Sequence, residues 1–174
     1  MPMDRSFTLS EDGSQIKMMI ARYNTFIMNK YSNSFETRTN GTIYKDHPFI
    51  NTVRTMISAL ELGDLDLVYQ QFSDNSLFSD INAPRGTTIS IPEEREKVEQ
   101  ILSQYNILSL DEHGYPDLLD YEGDGAEVLS WWIYRLQNIK TSKKVDIFMH
   151  LSHSFNTKGK ITRQVAYWNG SLLK

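Results

Sequence analysis

Every helix-like pattern in this chain falls before residue 106, and strand-and-turn patterns fill everything after it. That order constrains the fold more than any other feature. Apolar residues recur at three- and four-residue steps over 14–31 (Ile16, Met19, Ile20, Tyr23, Phe26, Ile27, Tyr31) and over 49–62 (Phe49, Val53, Met56, Ile57, Leu60). Each set predicts a helix with one apolar face. Between them, residues 32–47 are polar and turn-rich and read as an irregular connection. Gly63 stops the second helix, and Asp64 is a good N-cap for a short third one running to Phe72. A short strand is expected over 77–81 and a last helix over 90–105. Pro92 lies in the first turn of that helix, and Glu93, Glu94 and Glu96 suit its positive end. Beyond it, strands are expected over 106–111, 118–121, 126–136, 143–155 and 160–168. Gly123-Asp124-Gly125, the stretch QNIKTS and Thr157-Lys158-Gly159 supply the turns.

Helices first and an antiparallel meander second predict an α+β fold, with helices packed on one face of a curved sheet. A strongly bent sheet closed by helices leaves a conical cavity, a natural ligand site. The chain has 174 residues, enough for one real core, and shows no internal repeat. Residues 1–47 read as an N-terminal helix and irregular extension, and 48–174 as the domain proper.

Composition narrows the function classes. Apolar residues make up 40% and charged residues 23%, so neither a disordered tail nor a fibre is indicated. Net charge is −4, which argues against a chain-wide basic surface for nucleic acid. There is no cysteine, so disulfides, thiolate chemistry and cysteine-based zinc sites are out. No apolar run reaches the roughly 18 residues of a membrane span. The opening MPMDRSFTLSED has no apolar core of a secretory signal. None of this fixes the compartment. P-loop, GxGxxG, GxSxG and HExxH motifs are absent from the sequence, and neither a cofactor nor a metal is expected.

Three stretches carry a family likeness: LELGDLDLVYQQFSDNSLFSD, the helix over 90–105, and HLSHSFNTKGKITRQVAYWN. Together they resemble the nuclear transport factor two-like superfamily, in its SnoaL-like branch, which includes polyketide cyclases and ketosteroid isomerases. The likeness spans roughly residues 48–169. It implies a cone-shaped α+β roll of the cystatin-like kind, often a homodimer. It implies no single function, because the superfamily hosts isomerases, dehydratases, cyclases, hydrolases and plain binding proteins.

The resemblance places Asp80 where the isomerases carry their base. Their oxyanion donors are a Tyr and a protonated Asp. By the same correspondence those positions fall on Met56 and Leu151, neither of which can donate a hydrogen bond. Isomerase chemistry of that kind is therefore not expected. Asp80 could still serve as a base for another reaction if burial raised its pKa; the alternative is that its oxygens accept from backbone N–H groups of the following INAPRG loop.

His150 and His153 face opposite sides of their strand and cannot share a metal. The register turns Met149, Leu151, His153 and Phe155 inward, which makes His153 a candidate acid/base within the cavity. The alternative is a half-buried His bonded to a neighbouring strand. Trp132 and Tyr134 are expected inside, with Trp131 and Ile133 outside as part of a dimer interface. Trp168 matches a cavity aromatic of the isomerases.

The expected function is binding of a small apolar or amphipathic molecule, with Met56, Trp132, Tyr134, Leu151 and Trp168 as contacts. The rivals are a lyase, isomerase or cyclase using Asp80 or His153, and an interaction protein working through its outer sheet face.

Overall fold

The computed structural model describes residues 3–12, 14, 16–23, 40–122 and 125–173. The chain divides into two compact units, Met1–Thr39 and Asn40–Lys174. The first contains strands β1 (Met3–Leu9) and β2 (Ile16–Tyr23), paired antiparallel with Met3 opposite Tyr23. In the turn between them, the Asp12 carboxylate accepts from the Ser10 hydroxyl (2.5 Å), the Ser14 hydroxyl (2.8 Å) and the Ser14 backbone N–H (3.1 Å). Those hydrogen bonds, Ser10's first, hold its pKa down to about 2. The helix expected over 14–31 is corrected here: its first half is β2, and residues 24–31 lie outside the described ones. The run IKMMIARY is apolar at consecutive positions, so either period can be drawn through it. The hairpin partner MDRSFTL decides for the strand by supplying a backbone ladder.

The second unit opens with β3 (Gly41–Tyr44), inside the stretch expected to be irregular. Then come α1 (Pro48–Glu61), α2 (Leu65–Gln70), β4 (Phe72–Asp80), α3 (Ile91–Leu102), β5 (Tyr105–Glu112), β6 (Asp117–Tyr121), β7 (Gly125–Asn138), β8 (Lys144–Phe155) and β9 (Ile161–Tyr167), with a final 3₁₀ turn over Gly170–Leu173. The sheet has seven strands in the order β3-β6-β7-β8-β9-β4, and β5 also pairs with β7. Its pairings are antiparallel except for β4 beside β9, which is parallel, with Asp80 opposite Ala166. The long β7 carries both β5 and β6 end to end along one edge.

Helix α1 closes the curved sheet. Its apolar spacing puts Ile50, Val53, Met56, Ile57 and Ala59 inside, and Gly63 stops it with φ at +75°, a conformation glycine adopts without strain. Asp64 caps α2 as expected, its carboxylate accepting from the Leu67 N–H at 3.0 Å. Along β7, Val128, Ser130 and Trp132 are buried against α1's side of the sheet while Trp131 faces outward. Alternation on one buried face is what fixes this register. Fully burying each large apolar side chain contributes roughly 1.5–3 kcal/mol.

Candidate functional site

The helices do not fill the cone completely. A cavity of about 170 Å³ remains between α1, α2, α3 and the inner faces of β4, β7, β8 and β9. Its wall is mostly apolar: Met56, Ile57 and Leu60 from α1, Phe72 and Phe78 from β4, Val98 and Ile101 from α3, Met149 and Leu151 from β8, and Ala166 from β9. Tyr69, Tyr134 and Trp168 add aromatic surface. Met56 and Leu151, the positions that match the isomerase oxyanion donors, are plain apolar wall.

Polar groups gather in a few places. Asp80 closes β4 and lines the cavity. Its Oδ1 accepts from the Asn82 backbone N–H and the Asn82 side-chain amide, both at 2.7 Å. Its Oδ2 accepts from the Trp168 indole N–H at 3.0 Å. Asn82 in turn donates to the Trp168 carbonyl (3.2 Å) and accepts from the Gly170 N–H (3.0 Å), tying the end of β4 to the C-terminal turn. The loop-bonded role foreseen for Asp80 is therefore present, and the same residue lines the cavity.

Glu94 is the polar group that sequence reasoning missed. It reads as one of several first-turn acids of α3, but Ile91, Glu94, Val98 and Ile101 share one face of that helix. A carboxylate on an apolar stripe was the available signal. Burial is the main cause of its raised pKa; the Asp80 charge adds to it, and Lys97, whose Nζ lies 3.7 Å from Glu94 Oε2, opposes it. Tyr134 lines the same cavity, and burial, with a further push from Glu94, raises its pKa. Burial likewise raises Tyr69, whose ring lies 5.8 Å from the Arg95 guanidinium.

Three expected wall residues sit elsewhere. Trp132 is buried, but its ring belongs to the solid core, and its indole N–H donates to the Ser130 hydroxyl at 2.9 Å. His153 is completely buried and does not line the cavity; its Nε2–H donates to Gln164 Oε1 at 2.9 Å, and Gln164 stands at the wall in its place. Phe155, also expected at the wall, stacks on Phe49 with ring centroids 4.5 Å apart. The physical reason is common to all three. Strand alternation chooses a face, but where along that face the helices leave space depends on how α1 and α3 pack.

Among the described residues, no group of three His, Cys, Asp or Glu side chains is placed to hold a metal, and no helix is long and apolar enough to cross a membrane.

No family model matches the chain, and no curated protein matches it. Solved structures do match. A Bacillus subtilis protein provisionally described as an isomerase is 18% identical, with 70% of this chain and 86% of that one aligned at a TM-score of 0.57. An LEH-like epoxide hydrolase from M. tuberculosis is 17% identical over 72% of this chain and 85% of its own, at 0.54. SalBIII, an epoxide hydrolase/cyclase-like enzyme with a role in pyran ring formation in the polyether salinomycin, is 14% identical over 74% and 97%, at 0.57. Similarity at this level speaks to the fold. With its mixed α+β order, curved unclosed sheet and helices on the inner face, the chain has the nuclear transport factor two-like fold.

Proposed function

We propose that the cone binds one small, mainly apolar molecule, about the size of a single ring, with its polar group turned toward Asp80, Glu94 and Lys97. The observation that carries this reading is the apolar cavity itself, about 170 Å³ inside an otherwise packed core. A dry cavity of roughly 150 Å³ is known to hold a benzene ring, whereas drug-sized ligands need about 300 Å³ or more. The ligand is thus smaller than the few hundred cubic ångströms of space anticipated from the fold. Neighbours of the same fold that are named for epoxide hydrolysis and pyran ring formation support a small-molecule role.

The experiment is native mass spectrometry of protein from its own host, followed by release of anything bound. The expected result is one small molecule per chain, at least tenfold depleted in Ala166→Leu, whose added carbons occupy the cavity. A chain that carries nothing and takes up no ring-sized probe contradicts the proposal.

An acid/base enzyme is the second reading, favoured by Asp80 at the wall. His153 reaches the cavity only through Gln164, so proton transfer falls to Asp80 in that reading. The expected homodimer also belongs to this proposal. Trp131, His150 and Tyr167 stack across three strands of the outer face at 4.9 and 5.3 Å, beside Phe148, which is 64% exposed. By light scattering, the wild-type chain is expected to be a dimer and Phe148→Glu a monomer. A wild-type monomer removes this part.

A further inference from the structure

We propose that Asn40 is a site of spontaneous deamidation, and that the fold shields the chain's other Asn-Gly pair, Asn169-Gly170, from the same reaction. The only co-reactant is water. The Gly41 backbone nitrogen attacks the Asn40 side-chain carbonyl carbon. A C–N bond forms there, the side-chain NH₂ leaves with the glycine nitrogen's proton as ammonia, and a cyclic imide remains. Water then opens the imide at either carbonyl, giving aspartate or isoaspartate, with no change of oxidation state.

The reaction needs a free glycine N–H, and Gly41 has one. Strand β3 is the outer edge of its sheet among the described residues. The Glu122 N–H donates to the Asn40 carbonyl at 3.1 Å, and Gly41 stands opposite Tyr121. Antiparallel alternation therefore turns the Gly41 N–H away from β6 and out along the unpaired edge. Asn40 and Gly41 are both exposed, so water reaches both reacting groups. Pairing also demands glycine here: a Cβ would lie 3.0 Å from the Asp120 carbonyl oxygen. The fit that excludes a side chain at residue 41 leaves its nitrogen unhindered.

At Asn169 both reacting groups are held. The Gly170 N–H donates to Asn82 Oδ1 at 3.0 Å. The Asn169 Oδ1 accepts from the Ser171 N–H at 3.1 Å and the Ser171 hydroxyl at 2.7 Å, which fixes the amide toward Ser171.

Modification at Asn40 has a structural consequence. Isoaspartate adds a methylene to the backbone immediately before the rungs Thr42–Asp120 and Tyr44–Leu118. Every β3 residue is exposed, so no buried face restores the register. The isoaspartyl chain releases β3 from β6 and keeps its other strands paired.

The test is peptide mapping of the whole chain during incubation at mildly alkaline pH, with isoaspartate located by enzymatic methylation. In the native chain Asn40 should convert at least about tenfold faster than Asn169, whereas in denaturant the two rates should converge, because the contacts at Gly170 are lost with the fold. Asn82→Ala frees the Gly170 N–H and should speed Asn169 severalfold with Asn40 unchanged. Asn40→Gln, which must close a larger ring, should remove the fast conversion. Equal native rates, or an intact native Asn40 when the denatured chain has converted, overturn the proposal. An unchanged Asn169 rate in Asn82→Ala overturns the shielding. In the isoaspartyl chain, amide exchange at Thr42 and Tyr44 should rise, and unchanged exchange overturns the release of β3.

Discussion

Phe155→Ala should cost about 3–5 kcal/mol of folding stability, the usual range for deleting a buried ring. Phe155 is 9% exposed and stacks on Phe49, with an interplanar angle of 8°. Phe49 sits edge-on to His47 at 4.6 Å, and the His47 Nδ1 accepts from the Phe49 N–H at 3.2 Å as the cap of α1. Gly159, in the turn from β8 to β9, presses against the same ring: a Cβ there would lie 3.3 Å from Phe49 Cε1. Removing the Phe155 ring therefore loosens the start of α1, the end of β8 and the following turn together. Urea denaturation measures the loss. Phe155→Leu should recover more than half of it, and a loss below about 1.5 kcal/mol for Phe155→Ala would show that these contacts contribute little.

Acid should destabilise the protein through His153. The ring is completely buried, and with Nε2 donating to Gln164, its Nδ1 has no partner. Protonation would place a charge and an unsatisfied N–H in a dry site. Burial is the main cause that lowers its pKa from 6.5 to about 4; the Gln164 bond works in the other direction, and His150 adds slightly to the fall. Between those two values the unfolded chain holds the proton and the native chain does not. Stability is therefore fully present above pH 6.5 and is lost as pH falls toward 4, at up to about 1.4 kcal/mol per pH unit. The total at pH 4 is on the order of 3 kcal/mol. The check is the urea midpoint of wild type and His153→Gln between pH 7 and 4.5. The variant should lack this component of the decline, so parallel pH profiles for the two proteins would contradict the assignment.

How far the sequence reveals this architecture varies by element. Helix α1 and strands β7, β8 and β9 stand out because long apolar patterns of one period end in turn residues such as Gly63 and Gly159. The hairpin of β1 and β2 does not, because a short apolar run fits two periods and only its pairing partner chooses. Strand β3 is exposed along its whole length and so carries no burial pattern to read. The parallel pairing of β4 with β9 joins distant parts of the chain, and no local signal announces it.

The candidate site divides in the same way. Family position or strand face points Asp80, Met56, Tyr134, Leu151 and Trp168 toward the interior, and all five are among the residues around the cavity. Trp132 and His153 share the inward face but sit where the core is solid, a matter of helix packing rather than of alternation. Glu94 was hidden by a competing explanation: an acid in the first turn of a helix already has a reason to be there.

Ligand binding as proposed requires the interior of the cone to admit a ring-sized molecule. Met56 and Met149 line the cavity from opposite sides, α1 and β8, and their ε-methyl groups are natural reporters. The most direct measurement is a ¹H–¹³C methyl titration of the whole chain with methylenecyclohexane. Saturable shifts of both methyl signals are expected, absent in Ala166→Leu. Unmoved Met56 and Met149 signals at saturating ligand would contradict it.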